Sequence, residues 1–277
     1  MKSRDYFTQL LAAYWFAPPV ALWRAVELRT AAAETYAHPI LDLGCGDGLI
    51  AHGMFEPEHP IEVGMDPWLD QLRKASASGM YRHVDLAAGH RLPYADSIFA
   101  TVFSNSVLEH IPDIGPVLSE VSRVLAPGGH FIFTVPSDAF RSMLNGYVER
   151  AERGDVLAAR VYAGAIDTEL EHYHYHSTEE WESMLAAVGV HLVKSRYYMP
   201  EPAMRFWDRM NPRYGIGNPH ALWRYLVSPR LRKLGYQSLI KACVTRSLAR
   251  RWRKVYEMEV AEGTQGGGLL IVARKAG

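Results

Sequence analysis

Short apolar runs alternate with segments of helical spacing from residue 38 onward. Runs of this length are typical of buried strands, and apolar positions three and four residues apart indicate amphipathic helices. The pattern predicts strands at residues 40–43, 61–66, 81–86, 98–104, 130–135, 191–198 and 269–273. It predicts helices at residues 49–55, 69–77, 117–125 and 178–188. Such alternation favours a parallel sheet covered on both faces. The predicted fold class is therefore α/β, with a doubly wound, mostly parallel seven-stranded sheet.

Local signals set two of the predicted helix ends. Ser177 or Thr178 is the expected cap of helix 178–188, with Glu180 in its first turn. Helix 117–125 is expected to stop at the Pro127-Gly128-Gly129 sequence, because proline and glycine terminate helices.

The segments outside this alternating region are predicted to be helical. The apolar stretch 10–23 contains two prolines and is shorter than the ~20 residues of a membrane span, so we expect a broken amphipathic helix. The predicted organisation is an N-terminal helical arm (1–37), an α/β core (38–199), a helical lid insertion (200–267) and the last core strand (268–277).

The predicted lid is basic and aromatic. Residues 201–260 hold 13 Lys or Arg against 4 Asp or Glu, while the whole chain of 277 residues has no net charge. Its apolar residues include Trp223, Leu226, Leu231, Leu234 and Leu239. We expect a helical cap with its apolar side toward a pocket. Contact with a membrane surface is an alternative, and nucleic-acid binding is disfavoured because the charge is confined to one segment.

Glycine stands at every second position where the first predicted strand ends. Gly44, Gly46 and Gly48 lie at the carboxyl end of strand 40–43, the edge at which α/β sheets bind ligands. The spacing differs from the G-x-G-x-x-G of dinucleotide loops, and Asp47 inside the loop disfavours a diphosphate. Asp66, at the end of the next strand, is placed to accept hydrogen bonds from a ribose.

The same residues resemble a known family. The stretches ILDLGCGDG, VGMDPW, VDLAAGHRLPYADSIFATVFSNSVLEHIPD and EVSRVLAPGGHFIFTVPS, in this order between residues 40 and 137, resemble class I S-adenosylmethionine-dependent methyltransferases. The similarity is to the broad group that includes ubiquinone and menaquinone methyltransferases and many small-molecule methyltransferases. It implies a Rossmann-like methyltransferase fold, S-adenosylmethionine as cofactor and S-adenosylhomocysteine as product.

The resemblance implies a set of cofactor-binding residues. They are Asp42, Gly44, Gly46, Gly48, Asp66, Pro67, Trp68, Asp85, Leu86, Ser104 and Asn105. Asp42 would orient the loop, and the glycines would let the backbone pass close to the methionine and ribose. Asp66 would bind both ribose hydroxyls and Asp85 the adenine amino group. Pro67, Trp68 and Leu86 would pack on adenine, and Ser104 and Asn105 would line the methyl-donor end.

Histidines are the candidate general bases. The predicted catalytic residues are His174, His110 and His172. His172, His174 and His176 alternate, so an extended chain would place them on one face, with Tyr173 and Tyr175 on the other. Three histidines on one face are a potential metal site, but supporting carboxylates are only loosely placed, and we expect no metal. A structural role remains the alternative.

The expected reaction is methyl transfer to a small hydrophobic organic acceptor, at an oxygen. The alternatives are C-methylation of a quinone-like or lipid-linked ring at a membrane surface, and a non-catalytic S-adenosylmethionine-binding partner protein. The two cysteines, Cys45 and Cys243, give no disulfide framework, so we expect a cytoplasmic protein, with surface association to a membrane as a variant. The sequence leaves the acceptor and the oligomeric state open.

Overall fold

The computed structural model describes residues 4–214, 218, 220–228, 235 and 237–277. The chain divides into two compact units, each built from three stretches of sequence. The sheet unit comprises Thr30–Asp138, His172–Arg196 and Leu269–Gly277. The helical unit comprises Met1–Arg29, Ala139–Glu171 and Tyr197–Gly268.

A seven-stranded sheet forms the centre of the sheet unit, in the order β3-β2-β1-β4-β5-β7-β6. The strands are β1 (Ile40–Leu43), β2 (Ile61–Asp66), β3 (Tyr81–Leu86), β4 (Phe99–Asn105), β5 (Leu125–Pro136), β6 (Val190–Tyr198) and β7 (Gly268–Lys275). The pairs β1–β2, β1–β4, β2–β3 and β4–β5 are all parallel. The order reverses at β1, so the carboxyl end of β1 is the expected binding edge. The predicted α/β, mostly parallel fold is confirmed.

Helices α1 to α12 connect and flank the strands. They are α1 (Tyr6–Ala13), α2 (Pro18–Ala31), α3 (Leu49–Met54), α4 (Leu69–Ala77), α5 (Gly115–Val124), α6 (Asn145–Glu152), α7 (Val156–Leu170), α8 (Thr178–Ala186), α9 (Glu201–Met210), α10 (Leu222–Leu226), α11 (Gln237–Arg251) and α12 (Arg253–Tyr256). The predicted cap of α8 is confirmed, because the Ser177 hydroxyl accepts from the Glu180 N–H and the Glu180 carboxylate accepts from the Ser177 N–H. None of the described helices is long and apolar enough to cross a membrane.

The Pro127-Gly128-Gly129 sequence does not act as predicted. Helix α5 already ends at Val124, and the three residues lie inside the long strand β5. The glycines serve the strand, since a Cβ on Gly129 would lie 2.9 Å from the carbonyl oxygen of Ala126. The register of β4 and β5 shifts at the same point. A close backbone approach at a strand irregularity therefore explains glycine here.

Apolar residues of the strands and of the flanking helices form the core of the sheet unit. Buried members include Ile40 of β1, Phe103 of β4 and Ile132 of β5, together with Leu72 of α4. Burial of their apolar surface is the main stabilising term of such a layer arrangement. Most residues of the loops at the carboxyl ends of the strands are not members of this core.

The helical unit has an aromatic core of its own. The rings of Trp23 in α2 and Trp207 in α9 lie 5.6 Å apart, and the Trp207 indole N–H donates to the Pro19 carbonyl at 3.1 Å. Phe7 of α1 stacks on Tyr256 of α12 at 5.0 Å. The N-terminal helices and the insertion are therefore packed on each other.

The two compact units divide the chain differently from the predicted organisation, which stays a prediction. The prediction made residues 1–37 and 200–267 separate elements and placed 139–171 in the core, whereas one helical unit draws on all three regions. Apolar side chains such as Trp207 and Trp252 are buried within that unit, so they do not require a pocket to cover. Leu231 and Leu234 lie outside the described residues. A lid role for residues 200–267 stays a prediction.

Candidate functional site

The glycine loop after β1 is fastened to the end of β2 by backbone hydrogen bonds. The N–H groups of Gly44 and Cys45 both donate to the Met65 carbonyl, at 2.8 and 2.9 Å. The Gly46 N–H donates to Oδ2 of Asp66 at 3.0 Å. The loop is therefore held in one conformation at the point where the strand order reverses.

The alternating glycines serve different purposes. All three have positive φ, +78° at Gly44, +54° at Gly46 and +80° at Gly48. A Cβ on Gly44 would lie 2.5 Å from Cγ2 of Val107, so the loop is in direct contact with the segment that follows β4. A Cβ on Gly46 would meet no atom within 4 Å. Gly44 is needed for packing, whereas Gly46 borders open space that a ligand can use.

Asp66 fixes two segments at once. Its Oδ2 accepts from Gly46, and its Oδ1 accepts from the Trp68 N–H at 2.9 Å. The carboxylate is buried, yet each oxygen has a second lone pair for a further donor. Beside it, Trp68 is 70% exposed and Leu86 59% exposed, and Asp66 pairs with Leu86 across β2 and β3. A carboxylate framed by exposed apolar side chains suits a nucleoside.

Asp85 lies at the end of β3 and is half-buried. The Tyr94 hydroxyl donates to its Oδ2 at 3.1 Å, which fixes the side chain. Burial raises the pKa of Tyr94, so the phenol keeps its proton and remains a donor at neutral pH. Tyr94 thus positions Asp85, a contact that nothing in the sequence spacing indicated.

Asp42 is buried beneath the loop. The Tyr81 hydroxyl donates to its Oδ2 at 2.7 Å. The pKa of Asp42 is raised to about 7, chiefly by burial and to a smaller extent by the nearby Asp66 carboxylate. Burial also raises the pKa of the Cys45 thiol, which is therefore not a reactive thiolate.

Ser104 and Asn105, at the carboxyl end of β4, are both buried. The Ser104 hydroxyl donates to the Leu43 carbonyl at 2.9 Å, and the Asn105 amide donates to the Thr134 hydroxyl at 2.6 Å. These bonds tie β4 to its neighbours β1 and β5. Their predicted place at the methyl-donor end stays a prediction, as do the other assigned cofactor contacts.

The histidine segment 172–174 lies along the turn that follows β4. Leu108–His110 forms a 3₁₀ turn. The Tyr173 N–H donates to the Glu109 carbonyl at 2.8 Å, and Nε2 of His174 donates to the Ile111 carbonyl at 2.7 Å. The rings of His110 and His172 are 5.1 Å apart. The three predicted catalytic histidines therefore lie together in the sheet unit.

The expectation that Tyr175 faces away from the histidines is wrong. Its hydroxyl lies 3.0 Å from Nδ1 of His172. His174 stacks on His176 at 5.3 Å, and His176 packs edge-on against Trp181. Burial lowers the pKa of His176, as expected of a ring packed beside an indole.

Comparison with known proteins supports the reading of this site. A family described as "Methyltransferase domain" matches residues 41–133, which include β1 to β4 and most of β5. A malonyl-[acyl-carrier protein] O-methyltransferase of Legionella pneumophila is 28% identical over 63% of this chain and 68% of its own length. A ubiquinone/menaquinone biosynthesis C-methyltransferase of Rubrivivax gelatinosus is 32% identical over 45% of this chain and 50% of its own. Across the curated relatives, the matched region spans from about a third to about two thirds of their length.

The fold is also shared with solved structures. A methyltransferase of Thermotoga maritima, described as a possible histamine N-methyltransferase, superposes with a TM-score of 0.57 at 14% identity, over 97% of this chain and 99% of its own. Fold, loop and sequence similarity agree. Residues 41–133 match the methyltransferase domain family, and the comparisons together support a class I S-adenosylmethionine-dependent methyltransferase. The family, enzyme class and cofactor predicted from the sequence are confirmed.

Proposed function

We propose that the protein transfers the methyl group of S-adenosylmethionine to an oxygen of a small hydrophobic organic acceptor. The observation that supports this most directly is the contact between the glycine loop and Val107. Val107 immediately precedes the 3₁₀ turn that bears His110. The cofactor loop and the histidine cluster are thereby joined through one packed side chain.

The residues at the loop fit the cofactor. Open space beside Gly46 accommodates a ligand against the backbone, the Asp66 carboxylate has acceptor capacity for ribose hydroxyls, and Trp68 and Leu86 offer exposed apolar surface for adenine. When bound, S-adenosylmethionine supplies a methyl group on a sulfonium sulfur, and transfer breaks this carbon–sulfur bond, with its electron pair left on sulfur, as the bond to the acceptor oxygen forms. Alignment by the protein contributes a large share of such a rate enhancement, roughly 7–11 kcal/mol in favourable systems.

His174 is the base that we propose for the acceptor hydroxyl. Its Nε2 lies 2.7 Å from a carbonyl oxygen, which can only accept, so Nε2 carries the proton. In the neutral ring Nδ1 is then the basic nitrogen, and it takes the hydroxyl proton as the oxygen is methylated. His110 and His172 border the acceptor in this scheme, and the adjacent Tyr173, 57% exposed, gives it an aromatic surface.

An oxygen acceptor is favoured over carbon and nitrogen because a hydroxyl needs a base and an amine needs only its neutral form. The similarity to both O- and C-methyltransferases fits an oxygen acceptor as well as a carbon acceptor. The test is methyl transfer to phenolic, carboxylic and enolic candidates, followed by S-adenosylhomocysteine release. His174→Ala is expected to lower kcat at least a hundredfold without changing S-adenosylhomocysteine affinity, and His191→Ala, an exposed histidine of the same unit, is the control. No release with any acceptor class would support the non-catalytic alternative.

Cofactor choice is tested separately by calorimetry. The purified chain is expected to bind S-adenosylmethionine and S-adenosylhomocysteine, and not NAD, because Asp47 lies inside the loop, where its Oδ1 accepts from the Leu49 N–H. Micromolar NAD binding without a response to S-adenosylhomocysteine would contradict the assignment of the loop.

Peripheral membrane contact is a second proposal, for the helical unit. Leu222, Tyr225 and Leu239 are exposed within the basic region 201–260. Exposed apolar and aromatic side chains among cations favour an anionic lipid surface. Co-sedimentation with vesicles that contain anionic lipid, but not with purely zwitterionic vesicles, is the expected result, and Tyr225→Asp should reduce it. Binding that is equal for both kinds of vesicle, or absent, would contradict this proposal.

A further inference from the structure

Glu109, His110 and His172 form a compact cluster in the sheet unit. One potential ligand atom from each residue lies within 4.8 Å of the other two. Nε2 of His110 is 3.8 Å from Oε1 of Glu109. Nothing in the spacing of the chain groups these residues, because 62 positions separate the two histidines.

Two hydrogen bonds, one between backbone groups and one from a side chain to a backbone carbonyl, hold the two segments of the cluster together. The Tyr173 N–H binds the Glu109 carbonyl at 2.8 Å, and the His174 ring binds the Ile111 carbonyl at 2.7 Å. Both hydrogen bonds join the segment that follows His172 to the 3₁₀ turn that holds Glu109 and His110. The approach of His172 to the turn is therefore fixed by two hydrogen bonds that use none of the side chains of Glu109, His110 and His172.

We propose that Glu109, His110 and His172 bind a divalent transition-metal ion. Two imidazole nitrogens and one carboxylate oxygen suit Zn²⁺, Co²⁺, Ni²⁺ or Fe²⁺, whereas Mg²⁺ and Ca²⁺ prefer oxygen ligands alone. Bonds of about 2.1 Å bring neighbouring ligand atoms to about 3 Å from one another. Rotation of the partly exposed His110 and His172 side chains is enough to close the cluster to that size.

The surroundings of the cluster favour a cation. The Glu109 side chain is only 3% exposed, and a cation is attracted to a carboxylate more strongly in the protein interior than in water. Tyr175 supplies the outer contact that metal-bound histidines commonly have, since its oxygen lies 3.0 Å from Nδ1 of His172. With Nε2 of His172 bound to the ion, Nδ1 carries the proton and donates a hydrogen bond to the Tyr175 hydroxyl oxygen.

The site differs from the one weighed from the sequence. That analysis considered His172, His174 and His176 together, but His174 is bound to a backbone carbonyl through Nε2, and His176 is paired with Glu180. Three protein ligands leave coordination positions open, as in catalytic metal sites. An ion there would attract the acceptor oxygen and ease loss of its proton; this consequence rests on the proposed function, whereas binding itself does not.

Metal titration of the full-length chain tests the site. After chelator treatment, the protein is titrated with Co²⁺, followed by visible absorption, and with Zn²⁺, followed by calorimetry. We expect one equivalent bound and at least a tenfold loss of affinity in Glu109→Gln, His110→Ala and His172→Ala, because one of three ligands is removed. Tyr175→Phe should weaken binding less, and His90→Ala, an exposed histidine outside the cluster, should change nothing.

The outcomes separate this proposal from the proposed function. Absence of stoichiometric binding, or binding unaffected by His172→Ala in a variant with native circular dichroism, would overturn the metal site. S-adenosylhomocysteine affinity is measured on the same metal-free protein. If it persists and the acceptor is methylated at the same rate with and without metal, the methyltransferase proposal stands and the catalytic part of the metal proposal fails.

Discussion

The Tyr81 hydroxyl donates a 2.7 Å hydrogen bond to Oδ2 of Asp42, from β3 to β1, although β2 lies between these strands. Gly64 of β2 makes this contact sterically possible, since a Cβ at this position would lie 2.7 Å from the Tyr81 ring. A tyrosine, a glycine and an aspartate on three adjacent strands thus form one buried polar contact beneath the cofactor loop. Ionisation of the Asp42 carboxyl in this contact affects the stability of the fold.

Stability without cofactor should depend on pH through Asp42. Burial raises the pKa of Asp42 from 3.8 to about 7, so the folded state holds the proton more tightly than the unfolded chain. This contribution is complete below about pH 4 and is lost as pH rises to about 7. Thermal unfolding of wild type and Asp42→Asn from pH 4 to pH 8 should show the variant gaining Tm relative to wild type through this range. A constant difference would contradict the assignment.

Tyr81→Phe is the matched variant for this prediction. The Tyr81 hydrogen bond lowers the pKa of Asp42 and so opposes the effect of burial. Its removal should raise the pKa further and move the pH-dependent range of Tm to higher pH. Asp42→Asn/Tyr81→Phe should lose the dependence altogether.

Gly46→Ala should weaken cofactor binding far more than it weakens the fold. Gly46 and Gly79 both have positive φ, and neither would bring a Cβ within 4 Å of another atom. Alanine should therefore cost about 1 kcal/mol of stability at each position, from backbone strain alone. Only Gly46→Ala should reduce S-adenosylhomocysteine affinity, by at least tenfold in calorimetry. Equal affinities in the two variants would show that the ligand does not pass over Gly46.

Asp66→Ala should reduce S-adenosylhomocysteine affinity more than Asp85→Ala. Asp66 anchors Gly46 and Trp68 and is assigned both ribose hydroxyls, and charged hydrogen bonds contribute about 1.5–3 kcal/mol each. Asp85 is assigned one adenine amino group. Calorimetry should therefore give a loss of at least about a hundredfold for Asp66→Ala and a smaller one for Asp85→Ala. Unchanged affinity in Asp66→Ala would remove the second-strand acid from the site.

The sheet and its ligand-binding edge could be predicted because both are local properties of the sequence. Strands β2 and β3 begin and end as predicted. In β2 the apolar residues Ile61, Val63 and Met65 stand at alternate positions, which is typical of a strand. The alternation of glycines after β1 and the acid at the end of the next strand, Asp66, indicated the loop that the structure shows. Contacts such as Tyr94–Asp85 and Val107–Gly44 could not be predicted, because nothing in the spacing of the chain indicates which side chains meet.

The helical regions were harder because their partners are distant in sequence. Arg253 binds the Asp5 carboxylate with both guanidinium nitrogens at 2.9 and 2.7 Å, across 248 positions. The pattern of an amphipathic helix indicates that one face is buried, but it does not indicate which part of the chain covers that face. For this reason the sequence analysis treated residues 200–267 as a separate cap. The proximity of Glu109 to His172 was not predicted for the same reason, since these residues are also distant in sequence.

Trp207 provides the last test, of the helical unit. Its ring packs on Trp23, its indole N–H binds the Pro19 carbonyl, and it is 4% exposed. Trp207→Ala should cost about 3–5 kcal/mol in the free energy of unfolding, whereas Trp207→Phe should cost less because most of the packing remains. Trp68→Ala, on an exposed residue of the sheet unit, should leave unfolding nearly unchanged and lower S-adenosylhomocysteine affinity instead.

These point variants are preferable to replacing residues 200–267 with a short linker. That deletion would remove Trp207 and Tyr256, and with them the partners of Trp23 and Phe7 in the N-terminal helices. Lost methyl transfer would then reflect exposed apolar helices as well as any covering role of the segment. Chemical denaturation of Trp207→Ala, read by tryptophan fluorescence, isolates the packing. A cost below about 1 kcal/mol would mean that the insertion and the N-terminal helices do not depend on each other, and the deletion would again become a clean test of a lid.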